Sequence, residues 1–158
     1  MAATTASVVY SSQIITHIGS GTSLASAAIN PSSDVSTALA STNLGRYPLA
    51  DIQLTFTHTA TMSPNSVVIA LYRRDLNFDG TNDEPIPTTA AATLYKAKYM
   101  GAFIAQPFSA TSASYTQSMQ LTDVPLADQC EFYLENQTNC AILAGWTLKV
   151  LPKTVAFA

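Results

Sequence analysis

The chain has 158 residues, of which 11% are charged, with seven Lys and Arg and a formal net charge of −3. That length suits one domain with a sizeable core, and the charged fraction is well below the roughly 25% of typical soluble domains. So few basic residues exclude the clustered basic face that nucleic acid requires, while a surface of Ser, Thr, Ala and Asn suits packing against other proteins.

The opening sequence MAATTASVVYSSQ has neither the basic region nor the long apolar region of a secretory signal, and no apolar run reaches membrane-spanning length. Synthesis in a cytoplasm, with no membrane partner, is the expectation. Residues 1–28 read as an extended N-terminal arm whose one apolar segment, Val8 to Ile18, is interrupted by Ser11, Ser12 and Gln13. Such an arm is either a loose tail with an edge strand or a segment that orders on a neighbouring subunit by adding a strand to an open sheet.

Residues 29–158 read as the folded domain. Asn30-Pro31-Ser32-Ser33-Asp34 is a turn. Ala50 to Thr59 then alternates, with Ile52, Leu54, Phe56 and His58 on one face and Gln53, Thr55, Thr57 and Thr59 on the other, the pattern of a strand with one wet face. After a turn at Ser63 to Ser66, Val67 to Arg74 is apolar on both faces, as a central strand is. Tyr95 to Phe108 carries a further strand or pair, with Phe103 and Ala105 opposed to Ala102, Ile104 and Gln106, and Tyr115 to Thr122 alternates again.

The C-terminal stretch from Cys130 to Pro152 reads as two strands folded back on one another. Cys130, Phe132 and Leu134 alternate with Glu131, Tyr133 and Glu135; Asn136 to Asn139 supply a polar turn; Trp146, Leu148 and Val150 form the inward face of the return strand. In that hairpin Cys140 faces Glu135, and Cys130 lies too far down its strand for a disulfide, so both thiols are expected to be reduced. Nowhere do apolar residues keep helical spacing for more than a turn or two. The expected fold is all-β: a single-domain antiparallel β-sandwich of jelly-roll type, with the immunoglobulin-like sandwich, which lacks its Cys-Trp-Cys pattern here, as runner-up.

Chemical motifs are sparse. Asp75-Leu76-Asn77-Phe78-Asp79-Gly80 matches the opening of a calcium loop, but Ile86 stands where a closing glutamate is needed and Pro85 and Pro87 forbid an exiting helix. A calcium site drawing also on Asn82, Asp83 or Glu84 competes with a polar loop whose side chains cap their own backbone, and the second reading is favoured. His17 and His58 are read as structural, and Glu131 and Glu135 as a solvated strand face rather than a glycosidase pair. Asn136-Gln137-Thr138 is a formal glycosylation sequon. No nucleophile elbow or phosphate loop is present, so no catalytic, cofactor-binding or metal residues are assigned and an enzyme is not expected.

Several segments in fixed order carry a family likeness. Ile29-Asn30 precedes the strand from Ala50 to Phe56, then Ser63-Pro64, then Val67 to Arg74 running into Asp79-Gly80-Thr81-Asn82; Leu121 to Leu126, Phe132 to Thr138 and Gly145 to Val150 complete the set. Over residues 29–152 the chain resembles small virion structural proteins of tailed bacteriophages. The resemblance implies a capsid decoration or cement protein that binds the outside of the major capsid protein lattice and bridges capsomers against DNA pressure. It also implies association with copies of itself, as a trimer or, with the same composition, a dimer. It transfers no functional residue and does not cover residues 1–28. The alternatives are a tail or fibre component, for which Tyr95, Tyr99 and Tyr115 could contact a host glycan, and a carbohydrate-binding module, disfavoured because Trp146, the single tryptophan, reads as core.

Overall fold

The computed structural model describes residues 6–40, 47–58, 61–77, 79–89, 98–108 and 114–157. It is a β-sandwich whose strands are β1 (Ala6–Tyr10), β2 (Ile15–Gly21), β3 (Ala28–Ile29), β4 (Leu39–Ala40), β5 (Leu49–His58), β6 (Val68–Asp75), β7 (Lys98–Ile104), β8 (Tyr115–Pro125), β9 (Gln129–Asn136) and β10 (Trp146–Phe157). All strand pairings between these elements are antiparallel. In the first sheet β10 lies between β5 and an edge shared by β1 and β2, and β8 closes the far side of β5. In the second, β9 lies between β6 and an edge shared by β3 and β4, and β7 closes the far side of β6. The two interrupted edge strands make each sheet four strands wide.

One apolar core fills the space between the sheets. Ile52, Leu54 and Phe56 of β5 and Trp146, Leu148 and Val150 of β10 come from the first sheet; Ile69 and Leu71 of β6, Phe103 of β7 and Cys130, Phe132 and Leu134 of β9 come from the second. The period-2 alternation legible in β5 follows from having one face on this core, and β6, paired on both edges, is buried along most of its length. Ile15 and Ile18 of β2 belong to the same core, so part of the segment read as an arm packs as an integral sheet edge. Gly21 is needed there: a Cβ would stand 1.9 Å from the Trp146 ring, whose indole N–H donates to the Thr22 carbonyl at 2.8 Å.

The expected C-terminal hairpin is not formed. β9 and β10 lie in opposite sheets, because both edges of β9 are taken by other strands and both alternating apolar faces meet across the core. Asn136 makes the crossover rather than a turn. Its buried amide donates to the carbonyls of Leu24 at 3.0 Å and Cys140 at 2.8 Å, while its Oδ1 accepts from the Thr138 amide and hydroxyl. Gly145, at φ 91°, then redirects the chain into β10. Cys140 sits in this connection rather than opposite Glu135, and both cysteines are free and buried.

Candidate assembly surface

β5 accompanies β10 only from Thr147 to Lys153, whereas β1 runs beside β10 from Lys153 to Phe157. Among the described residues the end of this sheet is therefore a two-stranded ribbon that runs past the end of β5. Pairing places Val8 opposite Val155 and Tyr10 opposite Lys153 on the outer face, with Val9 opposite Thr154 on the other. A strand lying on a core buries alternate residues; β1 buries none, and Val8 (54%), Val9 (40%) and Val155 (43%) stay exposed. The ribbon therefore leaves apolar side chains in water on both of its faces.

The stripe continues onto the sandwich. Where Ser11 to Ile14 separate β1 from β2, Ile14 is left 64% exposed. Tyr10 and Ile14 with Leu151, Asp51, Gln53, Gln120 and Lys149 line a groove of about 290 Å³. Its floor is a cross-strand row in which Lys149 of β10 faces Gln53 of β5 and Gln53 faces Gln120 of β8. Farther along, the outer face is hydroxyl-bearing and uncharged, with Thr55 bonded to Ser118 at 3.0 Å and Thr57 to Thr116 at 2.8 Å.

Apart from Lys149, the charge on this face is gathered beneath Tyr10. The Lys153 ammonium lies 5.8 Å from that ring centre and pairs with Asp51 and, at 2.8 Å, with Asp123. A register shift between β5 and β8 at Asp51, with Asp123 at φ 58°, turns these two carboxylates to the same lysine. Burial alone would raise the Asp51 carboxyl, but the hydrogen bond from Lys153 and the Asp123 amide hold it below the usual value. Burial likewise works against the Lys153 ammonium, and the two carboxylates raise it above the ordinary lysine value. Lys149 at the groove's mouth, by contrast, has no ion-pair partner among the described residues.

The motifs legible in the sequence are engaged elsewhere. Asp75 is held by Arg73 at 2.7 Å and by Lys98, Glu84 bridges Lys98 at 3.2 Å, and Asp83 pairs with Arg74 at 3.3 Å. Asp79 accepts from the amides of Thr81 and Asn82, and Asn77 donates its side-chain amide to Gln129. The would-be calcium ligands therefore point to cations and to their own turn, and no group of three His, Cys, Asp or Glu side chains among the described residues could hold a metal. Glu131 binds Arg74 at 2.8 Å and accepts from the Tyr133 hydroxyl, while Glu135 accepts from Tyr72. The sequon's Asn136 is fully buried.

His17 and His58 have separate partners: His17 bonds the Thr37 carbonyl and the Phe132 amide, and His58 meets Gln117 at 3.0 Å. Tyr115 stacks on Phe108 with ring centres 4.2 Å apart, Tyr99 packs edge-on against Tyr72, and Tyr95 lies outside the described residues. The ribbon and groove were not legible as a site. Val8 to Ile18 showed an apolar run, but nothing in it tells that β5 stops short of Val155. Among the described residues no helix is long and apolar enough to cross a membrane. No protein-family model, curated protein or solved structure matches the chain.

Proposed function

We propose that the chain is a non-enzymatic virion structural protein, a decoration or cement protein on the capsid surface of a tailed bacteriophage. Its partners are the major capsid protein and copies of itself, with no direct contact to nucleic acid or membrane. The observation that carries this reading is the β1–β10 ribbon, apolar on both faces and continuous with an outer sheet face whose far end is hydroxyl-bearing and uncharged. A lone two-stranded ribbon is marginal in water, so burying it against a shell stabilises both.

Counting each interrupted edge once, the sheets run 1-8-3-6 and 2-7-4-5, an order that supports a jelly-roll connectivity, an architecture that recurs in viral capsid proteins. Bridging capsomers needs no catalytic group: an interface of roughly 2,000 Å² or more, largely apolar, is enough to hold a permanent complex. Few charges leave little repulsion between densely arrayed copies.

The test is the copy number of this chain against the major shell protein, by quantitative mass spectrometry of purified virions of the phage that encodes it. A number comparable to the shell protein is expected. A handful of copies would transfer the same surface to a tail or fibre, and absence from the particle would end the virion reading.

A further inference from the structure

Building on the assembly reading, we infer that the open edge of β1 pairs antiparallel with the same edge of a second copy, joining two molecules by a twofold axis through one continuous sheet. β1 is hydrogen-bonded to β10 on one side, and among the described residues no strand pairs with its other side. An open edge presents unpaired N–H and C=O groups that template another strand, and proteins usually blunt such edges with charge, proline or bulges.

The other long edge strands are blunted in that way or covered: β2 shifts register against β10, and its His17 carbonyl accepts the Ser36 and Thr37 amides. β7 begins at Lys98, carries Gly101 at φ 142° and shifts register against β6. β8 ends on Asp123-Val124-Pro125 and is bulged against β5. The edge at β1, Ala6-Ser7-Val8-Val9-Tyr10, has none of these devices, and in the segment paired with it the one charge, Lys153, is held by Asp51 and Asp123.

The occupant is a second copy because the surface is complementary to itself. Identical uncharged strands meet without like charges opposed, and antiparallel pairing of a strand with its own copy is twofold by construction. Centred on Val8, the register sets Val8 against Val8 and the bulky Tyr10 against the small Ala6 of the second copy, a favourable set of cross-strand pairs. On the outer face Val8, Tyr10 and Val155 of both copies then form one apolar cluster. Of the two symmetries that composition allows, this geometry selects the dimer over the trimer. A five-residue edge makes a small interface, so dissociation is concentration-dependent in solution and suppressed where copies are crowded on a shell.

Sedimentation equilibrium of the full chain, from about 1 μM to about 1 mM, tests the pairing. The expected result is a monomer–dimer equilibrium that Val8→Lys weakens at least ~10-fold, by opposing two ammonium groups at the axis, with an unchanged circular dichroism spectrum. Register is read independently: Val8→Cys crosslinks the dimer on oxidation and Val155→Cys, one strand farther from the axis on each side, does not. A monomer throughout, as when the edge accepts only a shell strand, or a trimer, or a dimer indifferent to both Val8 substitutions, overturns the proposal. Copy number in virions is read separately, so the pairing and the decoration role can each fail alone.

Discussion

His17 shows how one side chain joins the two sheets. It stands on β2 of the first sheet, yet its Nε2 accepts the Phe132 amide of β9 in the second at 2.9 Å, while Nδ1 lies 2.7 Å from the Thr37 carbonyl. That network assigns a neutral imidazole with its proton on Nδ1, because a protonated Nε2 has no lone pair to offer. Burial is the main force on its titration, and it lowers the pKa below 6.5 despite opposing hydrogen bonds and the field of Glu131. In the unfolded chain the imidazole takes up its proton near 6.5, so between that value and the lower folded one the unfolded state binds more protons and stability falls as pH falls. The loss is at most ~1.4 kcal/mol for each pH unit in that window. An NMR titration should place the His17 midpoint under 6.5; a midpoint at or above it would refute the assignment.

The end of β6 and the loop that follows form the most charged element of the molecule. Arg73 and Asp75 stand in register with inward-facing Phe132 and Cys130, and Arg73 spans to the Pro125 carbonyl of the other sheet at 2.8 Å. Asp75, followed by Glu84, raises the Lys98 ammonium above its usual value, while Glu84 also accepts the Asp75 amide at 2.9 Å. The acidic residues that resemble calcium ligands thus tie the loop to β6 and β7. Asp75→Asn should cost about 1–3 kcal/mol in urea denaturation, by leaving two partly buried cations short of a partner. Millimolar calcium should leave the melting temperature of the native chain unchanged, because the ion would have to break these pairs to bind. A calcium-dependent rise of several degrees would restore the metal site.

Across the whole molecule, the N-terminal segment divides at the break between β1 and β2. β1 covers no core, whereas Ile15 and Ile18 of β2 are buried, Ile18 completely. Removing residues 1–10 should therefore leave a folded sandwich with its near-ultraviolet spectrum intact. Removing 1–18 strips two core side chains worth about 1.5–3 kcal/mol each, together with the His17 bridge, from a fold whose total stability is on the order of 5–15 kcal/mol. That longer truncation should unfold or melt far below the native chain; equal melting of the two truncations would mean that β2 contributes little to closing the sheet.

Alternation at β5, the continuous apolar run of β6, the inward set Cys130, Phe132 and Leu134, and the core position of Trp146 were all legible in the sequence, because a side-chain period of two survives wherever one face meets a core. So were the paucity of charge and the turns at Ser63 and Asn30. Which strands pair was not. A hairpin from β9 to β10 and a crossover between sheets present the same alternating residues, and only the capture of both β9 edges by β6, β3 and β4, with Asn136 binding the crossover carbonyls, decides between them. The surface that carries the functional reading was hidden for a related reason. Val8 reads as part of an apolar segment and Val155 lies beyond Pro152, where the missing N–H is expected to end the strand although β10 runs on to Phe157; the exposure of both is set by the distant end of β5 at Leu49, a relation between segments that no local pattern records.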